Sequence, residues 1–121
     1  MDKIPVIKQK DILLVPFPFS DQSGRKVRPV VVISNSLFND YSDDFLVAGI
    51  TSNITRGKYS LLISNSDLEE GKLFSKCCIK TENILKIDGQ LIVKKIGRLK
   101  KQKFEDLIET INRIIASENT N

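Results

Sequence analysis

The chain contains no histidine, so its chemistry rests on other side chains. That absence excludes a Ser-His-Asp triad, a Cys-His dyad, a histidine-ligated zinc enzyme and a paired-histidine ribonuclease. Cys77 and Cys78 are the only thiols, and they are adjacent. A disulfide between chain neighbours is strained, and no metal-ligand spacing surrounds them. They read as small apolar fillers of a strand. As free thiols they fit a reducing cytoplasm. Lys94, Lys95, Arg98, Lys100, Lys101 and Lys103 form a basic block without an acid. The whole chain carries +4, so the rest of it is net acidic. The block reads as a solvated surface or as a polyanion-binding one. Arg28 stands directly before Pro29, where a strongly apolar strand begins.

The elements that must position these groups are short. The 121 residues, 40% of them hydrophobic, make one domain. A chain of this size buries roughly two thirds of its unfolded surface, enough to fold without disulfides or metals. Ile12 to Phe17 is an apolar strand running into Pro16-Phe17-Pro18-Phe19, which suggests an edge strand or one leaving its sheet. Residues 20–26 (SDQSGRK) form a polar loop. Val30-Val31-Val32-Ile33 is β-branched throughout without alternation, which predicts a strand buried on both faces. Residues 34–43 read as a loop with one helical turn. Strands follow at 44–51 and 58–63, and one strand or two, bent near Glu82-Asn83, at 76–87. Ser66-Asp67-Leu68-Glu69 has the form of a capping box, predicting a short helical turn stopped by Gly71. Residues 91–96 fit helix or strand. Phe104, Leu107, Ile108, Ile111, Ile114 and Ile115 recur at helical spacing, so an amphipathic helix spans about 101–116. Together these predict a small, mainly β, partly open barrel with short helices and a C-terminal helix. No apolar run has the length of a signal peptide or of a membrane span, so a soluble cytoplasmic protein is expected.

Several of these segments, in this order, resemble the PemK/MazF-type toxins. KDILLVPFPFSD at 10–21 resembles their opening strand and loop, and VRPVVVIS at 27–34 their second strand. AGITS at 48–52 resembles the strand that ends in a Thr-Ser pair. Ile87-Asp88 and LIVKKIGRL at 91–99 resemble the closing segment of the PemK-like branch. The chain departs from the pattern in having Cys77 where serine is frequent and Gly49 where alanine is common. The resemblance implies an SH3-like antiparallel barrel of the CcdB/PemK/MazF type and a homodimer. It implies a metal- and cofactor-independent endoribonuclease that cuts single-stranded RNA and is restrained by a cognate antitoxin. The catalytic pair it implies is Arg28 and Thr51.

Such cleavage uses the substrate's own 2′-hydroxyl as nucleophile, so the enzyme must move protons and stabilise charge on phosphorus. A guanidinium fork matches two phosphate oxygens, which suits Arg28. Thr51 and Ser52 can donate hydroxyl hydrogen bonds to the same group. A guanidinium gives up its proton only far above neutrality, so Arg28 by type is a poor base. Asp21 and Glu82 are bases by residue type. Substrate binding falls to Phe19, Asp21, Gln22, Arg25, Lys26, Ser52 and Glu82, with Phe19 as the aromatic beside the loop on which a base would stack. By type alone, Arg28 also suits an ion pair at a strand end, Thr51 a plain strand position, and Phe19 a core position. Two other functions stay open: a CcdB-like toxin that binds a protein target such as DNA gyrase, and a degenerate relative that binds RNA or a partner without cutting.

Overall fold

Among the described residues, seven strands and two α-helices form in the order β1 (Asp11–Pro16), β2 (Val27–Val32), α1 (Ser36–Tyr41), β3 (Asp44–Thr51), β4 (Ser60–Ile63), β5 (Leu68–Gly71), β6 (Cys77–Asp88), β7 (Lys94–Leu99) and α2 (Lys101–Ile115). The structure is a computed structural model that describes residues 6–16, 27–54 and 57–118. The strands make one sheet in the order β4-β6-β3-β2-β1-β7-β5, and every pairing is antiparallel. The sheet curls into a half-barrel, the partly open β architecture expected from the strand pattern.

The Val30–Val32 run lacks alternation because both faces of the sheet are covered. On one face Val31, Ile12, Ala48, Ile50 and Ile79 pack with Phe104, Leu107 and Ile111 of α2. On the other, Val30 and Val32 pack with Leu13, Val15, Val47 and Ile87, joined by Ile7. Leu107 is fully buried, a placement that stabilises by about 1.5–3 kcal/mol. Ile114 and Ile115 fit the helical spacing, yet the last turn of α2 runs past the sheet and leaves them 37% and 68% exposed.

Two expectations need correction. β1 is not an edge strand: it pairs with β2 from Ile12 to Pro16 and with β7 through Leu14, and of the two alternatives only its parting from β7 beyond Leu14 is seen. Pro16 is tolerated because the β7 ladder has already ended there. The capping box forms around Ser64 and Asp67 rather than Ser66 and Glu69, and caps only a 3-10 turn at Asn65–Asp67. The chain then enters β5 instead of a helix. Gly71 sits at φ +86°, with Ile96 O in the space a Cβ would fill, so it ends β5 as an obligate glycine. Residues 91–96 resolve into the end of a 3-10 turn, Gly89–Leu91, and the start of β7. Where a bend is expected near Glu82-Asn83, the single long strand β6 carries a register shift against β3, between Lys80 and Ile84. The polar loop at 20–26 lies outside the described residues.

Candidate active site

The site begins with a proline that interrupts a sheet. The β2–β3 ladder runs from Val32↔Val47 to Val30↔Gly49 and stops there. The next residue, Pro29, has no N–H to continue it. Extending the register by two residues sets Arg28 opposite Thr51, on the face that carries Val30 and Gly49. Beyond the last paired residues the two strand ends enclose a cavity of about 230 Å³. Arg28, Pro29 and Val30 from β2 line it, with Gly49, Ile50 and Thr51 from β3, Asn53 just beyond, and Lys80, Asn83 and Leu85 from β6.

A bulge in β6 supplies the rest of the polar lining. Gly49 pairs with Lys80, but Ala48 pairs with Ile84. Thr81, Glu82 and Asn83 are therefore looped out of the β3 ladder. Thr81 turns inward, fully buried, and its hydroxyl donates to Tyr59 O. Asn83 turns over β3, and a Cβ on Gly49 would stand 2.7 Å from its Nδ2. Gly49, where the resemblance leads one to expect alanine, is thus what makes room for the Asn83 carboxamide. Thr51 Oγ1 accepts from Asn53 N–H at 3.1 Å, which fixes its rotamer and leaves its proton as a donor. Two cations and three neutral hydrogen-bonding side chains line the cavity, and no carboxylate among the described residues does. Such a concave basic site favours an anion.

Arg28, Pro29 and Ile50 also wall a second cavity, of about 470 Å³, with Leu14, Val27, Ser52, Leu73, Phe74, Ser75, Cys77 and Ile96. Thr51 and Ser52 line different cavities, because successive residues of an extended chain point to opposite sides. Glu82 is not brought to Arg28: it lines a separate cavity with Lys58, Tyr59 and Arg113. Phe19, Asp21, Gln22, Arg25 and Lys26 lie outside the described residues. Neither cysteine is in a disulfide and both are buried, as expected of fillers. Burial pushes the Cys77 thiol up, and Sγ donates to Ser75 O at 3.3 Å, so it is held as a neutral thiol rather than a nucleophile.

Half of the basic block is spent on structure. Asp11 is fully buried; Arg98 Nε donates to it at 3.0 Å and Lys95 Nζ stands 3.3 Å away. Lys95 also meets Glu70, and Lys103 meets Asp67. Lys94, Lys100 and Lys101 remain exposed. Lys80 and Asn83 were not singled out from the sequence. The signal was there in the polar Lys80–Asn83 stretch interrupting an apolar strand.

Residues 8–115 match the family described as PemK-like, MazF-like toxin of type II toxin-antitoxin system. The chain belongs to this family. An endoribonuclease MazF of Staphylococcus saprophyticus is 31% identical to this PemK/MazF-type toxin over 101 residues, covering 82% of this chain and 80% of that protein. A mycobacterial endoribonuclease solved with its cognate antitoxin superposes with a TM-score of 0.74 at 11% identity, over 95% of this chain and 100% of that one. A MazE–MazF structure from Deinococcus radiodurans gives 0.72 at 11% identity, over 96% and 100%. At these identities the solved structures show the toxin fold, and the family match rests on sequence.

Proposed function

We propose that this chain is the toxin of a type II toxin–antitoxin pair, acting as a metal-independent endoribonuclease on single-stranded RNA. The observation that carries this reading is the cavity where Arg28 and Thr51 meet Lys80, Asn53 and Asn83, with no carboxylate among its described lining residues. In this reading a phosphodiester enters the cavity and Arg28 grips two of its oxygens through the guanidinium fork. The substrate's 2′-oxygen attacks phosphorus and loses its proton, the bond to the 5′-oxygen breaks, and that oxygen takes up a proton as it leaves, so no net proton is gained or lost. The products are a 2′,3′-cyclic phosphate and a 5′-hydroxyl. Arg28 and Lys80 offset the charge that builds on the phosphorane, where fixed cations act most strongly. Thr51 donates to a phosphoryl oxygen from a rotamer already held by Asn53. The guanidinium is engaged on the phosphate oxygens, so the 2′-proton leaves to another acceptor. Glu82 lines a separate cavity, which favours Asp21, the other carboxylate read from the sequence, as that acceptor.

The toxin works in the cytoplasm as a homodimer, one toxin domain per chain, and a cognate antitoxin holds it inactive. Antitoxin complexes of proteins with the same fold support that partner. Two cysteines outside any disulfide support a reducing compartment, and no described helix is long and apolar enough to cross a membrane.

The test is to incubate purified protein with a mixed RNA in the presence of EDTA. Site-specific fragments with 5′-hydroxyl ends are expected, and a folded Arg28→Ala variant is expected to make none. Absence of cleavage by the parent protein would overturn the enzymatic reading in favour of a toxin that binds a protein target.

A further inference from the structure

We infer that Phe74 is a stacking platform for a nucleobase flanking the phosphodiester held by Arg28, and that the larger cavity receives that base. This rests on the reading of the chain as an RNA-cleaving toxin and adds to it a recognition residue. Phe74 is 100% exposed, the most exposed of the large apolar side chains described. A bare aromatic ring at the rim of a concave surface marks a place of contact. Its backbone is anchored on both sides. Leu73 is buried and its N–H donates to Asn65 Oδ1 at 2.7 Å, and Cys77 is buried three residues on. The ring is therefore offered from a fixed support.

The rest of the cavity matches a base rather than another ligand. Arg28 is its only charged lining residue among those described, and it stands on the wall shared with the phosphate cavity. The remaining wall is apolar, with Ser52 and Ser75 as hydroxyl-bearing residues. A nucleotide has the same layout: an uncharged ring with apolar faces and hydrogen-bonding edges, tied to an anion. Unpaired RNA is read by stacking such rings on aromatic side chains and bonding their edges.

The chain contains no tryptophan, so Phe74→Trp installs a single indole fluorophore at the platform. The probe is a randomised single-stranded RNA pool carrying 2′-O-methyl groups, which can bind but cannot supply the nucleophile. Emission from the introduced indole is expected to be quenched as the pool binds. Phe74→Ala is expected to bind it about 5- to 150-fold more weakly, the range of a lost base–aromatic stack, with affinity restored in Phe74→Trp. On unmodified RNA, Phe74→Ala is expected to raise KM by a similar factor and leave kcat within about twofold of the parent, since the reacting phosphate keeps its contacts. Unchanged emission at saturating RNA, or parent-like affinity in Phe74→Ala, would overturn the platform while leaving the cleavage reading intact. Quenching by a protein that cuts no RNA would do the reverse. Loss of a dimer in Phe74→Ala at unchanged RNA affinity would assign the ring to a protein interface and also overturn the inference.

Discussion

Gly49→Ala separates the fold from the site with a single methyl group. Asn83 Nδ2 stands 2.7 Å from the new Cβ, 0.7 Å inside the 3.4 Å at which ordinary contact begins. The clash falls on the end of a side chain, so the carboxamide can yield while the backbone stays. Relieving glycine's freedom in a strand favours folding by about 0.5–1 kcal/mol. Forcing Asn83 off its rotamer costs about 0.5–1.5 kcal/mol, so the two nearly cancel. The melting temperature should therefore move by no more than about 4 °C. Activity should respond differently. Displacements near 1 Å in a positioned group can cost about 100-fold, so a 0.7 Å shift of Asn83 should lower kcat/KM on RNA by roughly 10- to 100-fold. The assay pairs thermal unfolding with cleavage of a fixed transcript, run on Gly49→Ala, Asn83→Ala and the double variant. If Asn83 transmits the effect, the double variant should be no worse than Asn83→Ala alone. Full activity in Gly49→Ala, or a loss that adds to that of Asn83→Ala, would refute a role for Asn83 in the cavity. A drop in stability above about 2 kcal/mol would show that the strand, not the carboxamide, had given way.

Thr51→Ala should reduce kcat more than affinity for 2′-O-methyl RNA, because the hydroxyl is assigned to charge that develops during reaction; equal losses in both would make Thr51 a ground-state binding residue. Asp11→Asn should cost roughly 3 kcal/mol in urea unfolding, at the low end for breaking a buried ion pair, since Lys95 and Arg98 keep 25% and 19% of their side-chain surface in water. A change below about 0.5 kcal/mol would mean that the cluster adds nothing to the β1–β7 seam. Arg28→Lys retains the charge but not the fork, so cleavage should fall well below the parent; parent-like rates would show that a point charge suffices there.

Much of the fold was legible because burial leaves a local signature. The unbroken Val30–Val32 run announced a strand covered on both faces, and the helical spacing of Phe104, Leu107 and Ile111 announced the helix that covers one of them. Residues 91–96 were ambiguous because a short apolar run has no period of its own; pairing of β7 with β1 and β5 decided it. Ser66 and Asp67 suggested a helix, yet the pairing of Leu68 and Glu70 with β7 drew the chain into a strand. Propensity was outweighed there by tertiary contact.

The candidate site divides in the same way. Arg28 before Pro29 and Thr51 before Ser52 stand out in the linear chain, since a proline-limited arginine and a strand-end hydroxyl need no third element to be noticed. That they face each other depends on the β2–β3 register. That Lys80 and Asn83 join them while Glu82 turns away depends on where the β6 bulge falls. Likewise, composition shows six cations in the basic block, but only the burial of Asp11 reveals that Lys95 and Arg98 hold the sheet together. By itself the sequence determined the elements and the residue types available for phosphate chemistry. The tertiary structure decided which of them meet, because register and bulges are set by packing between strands distant in the chain, and local periodicity carries no record of them.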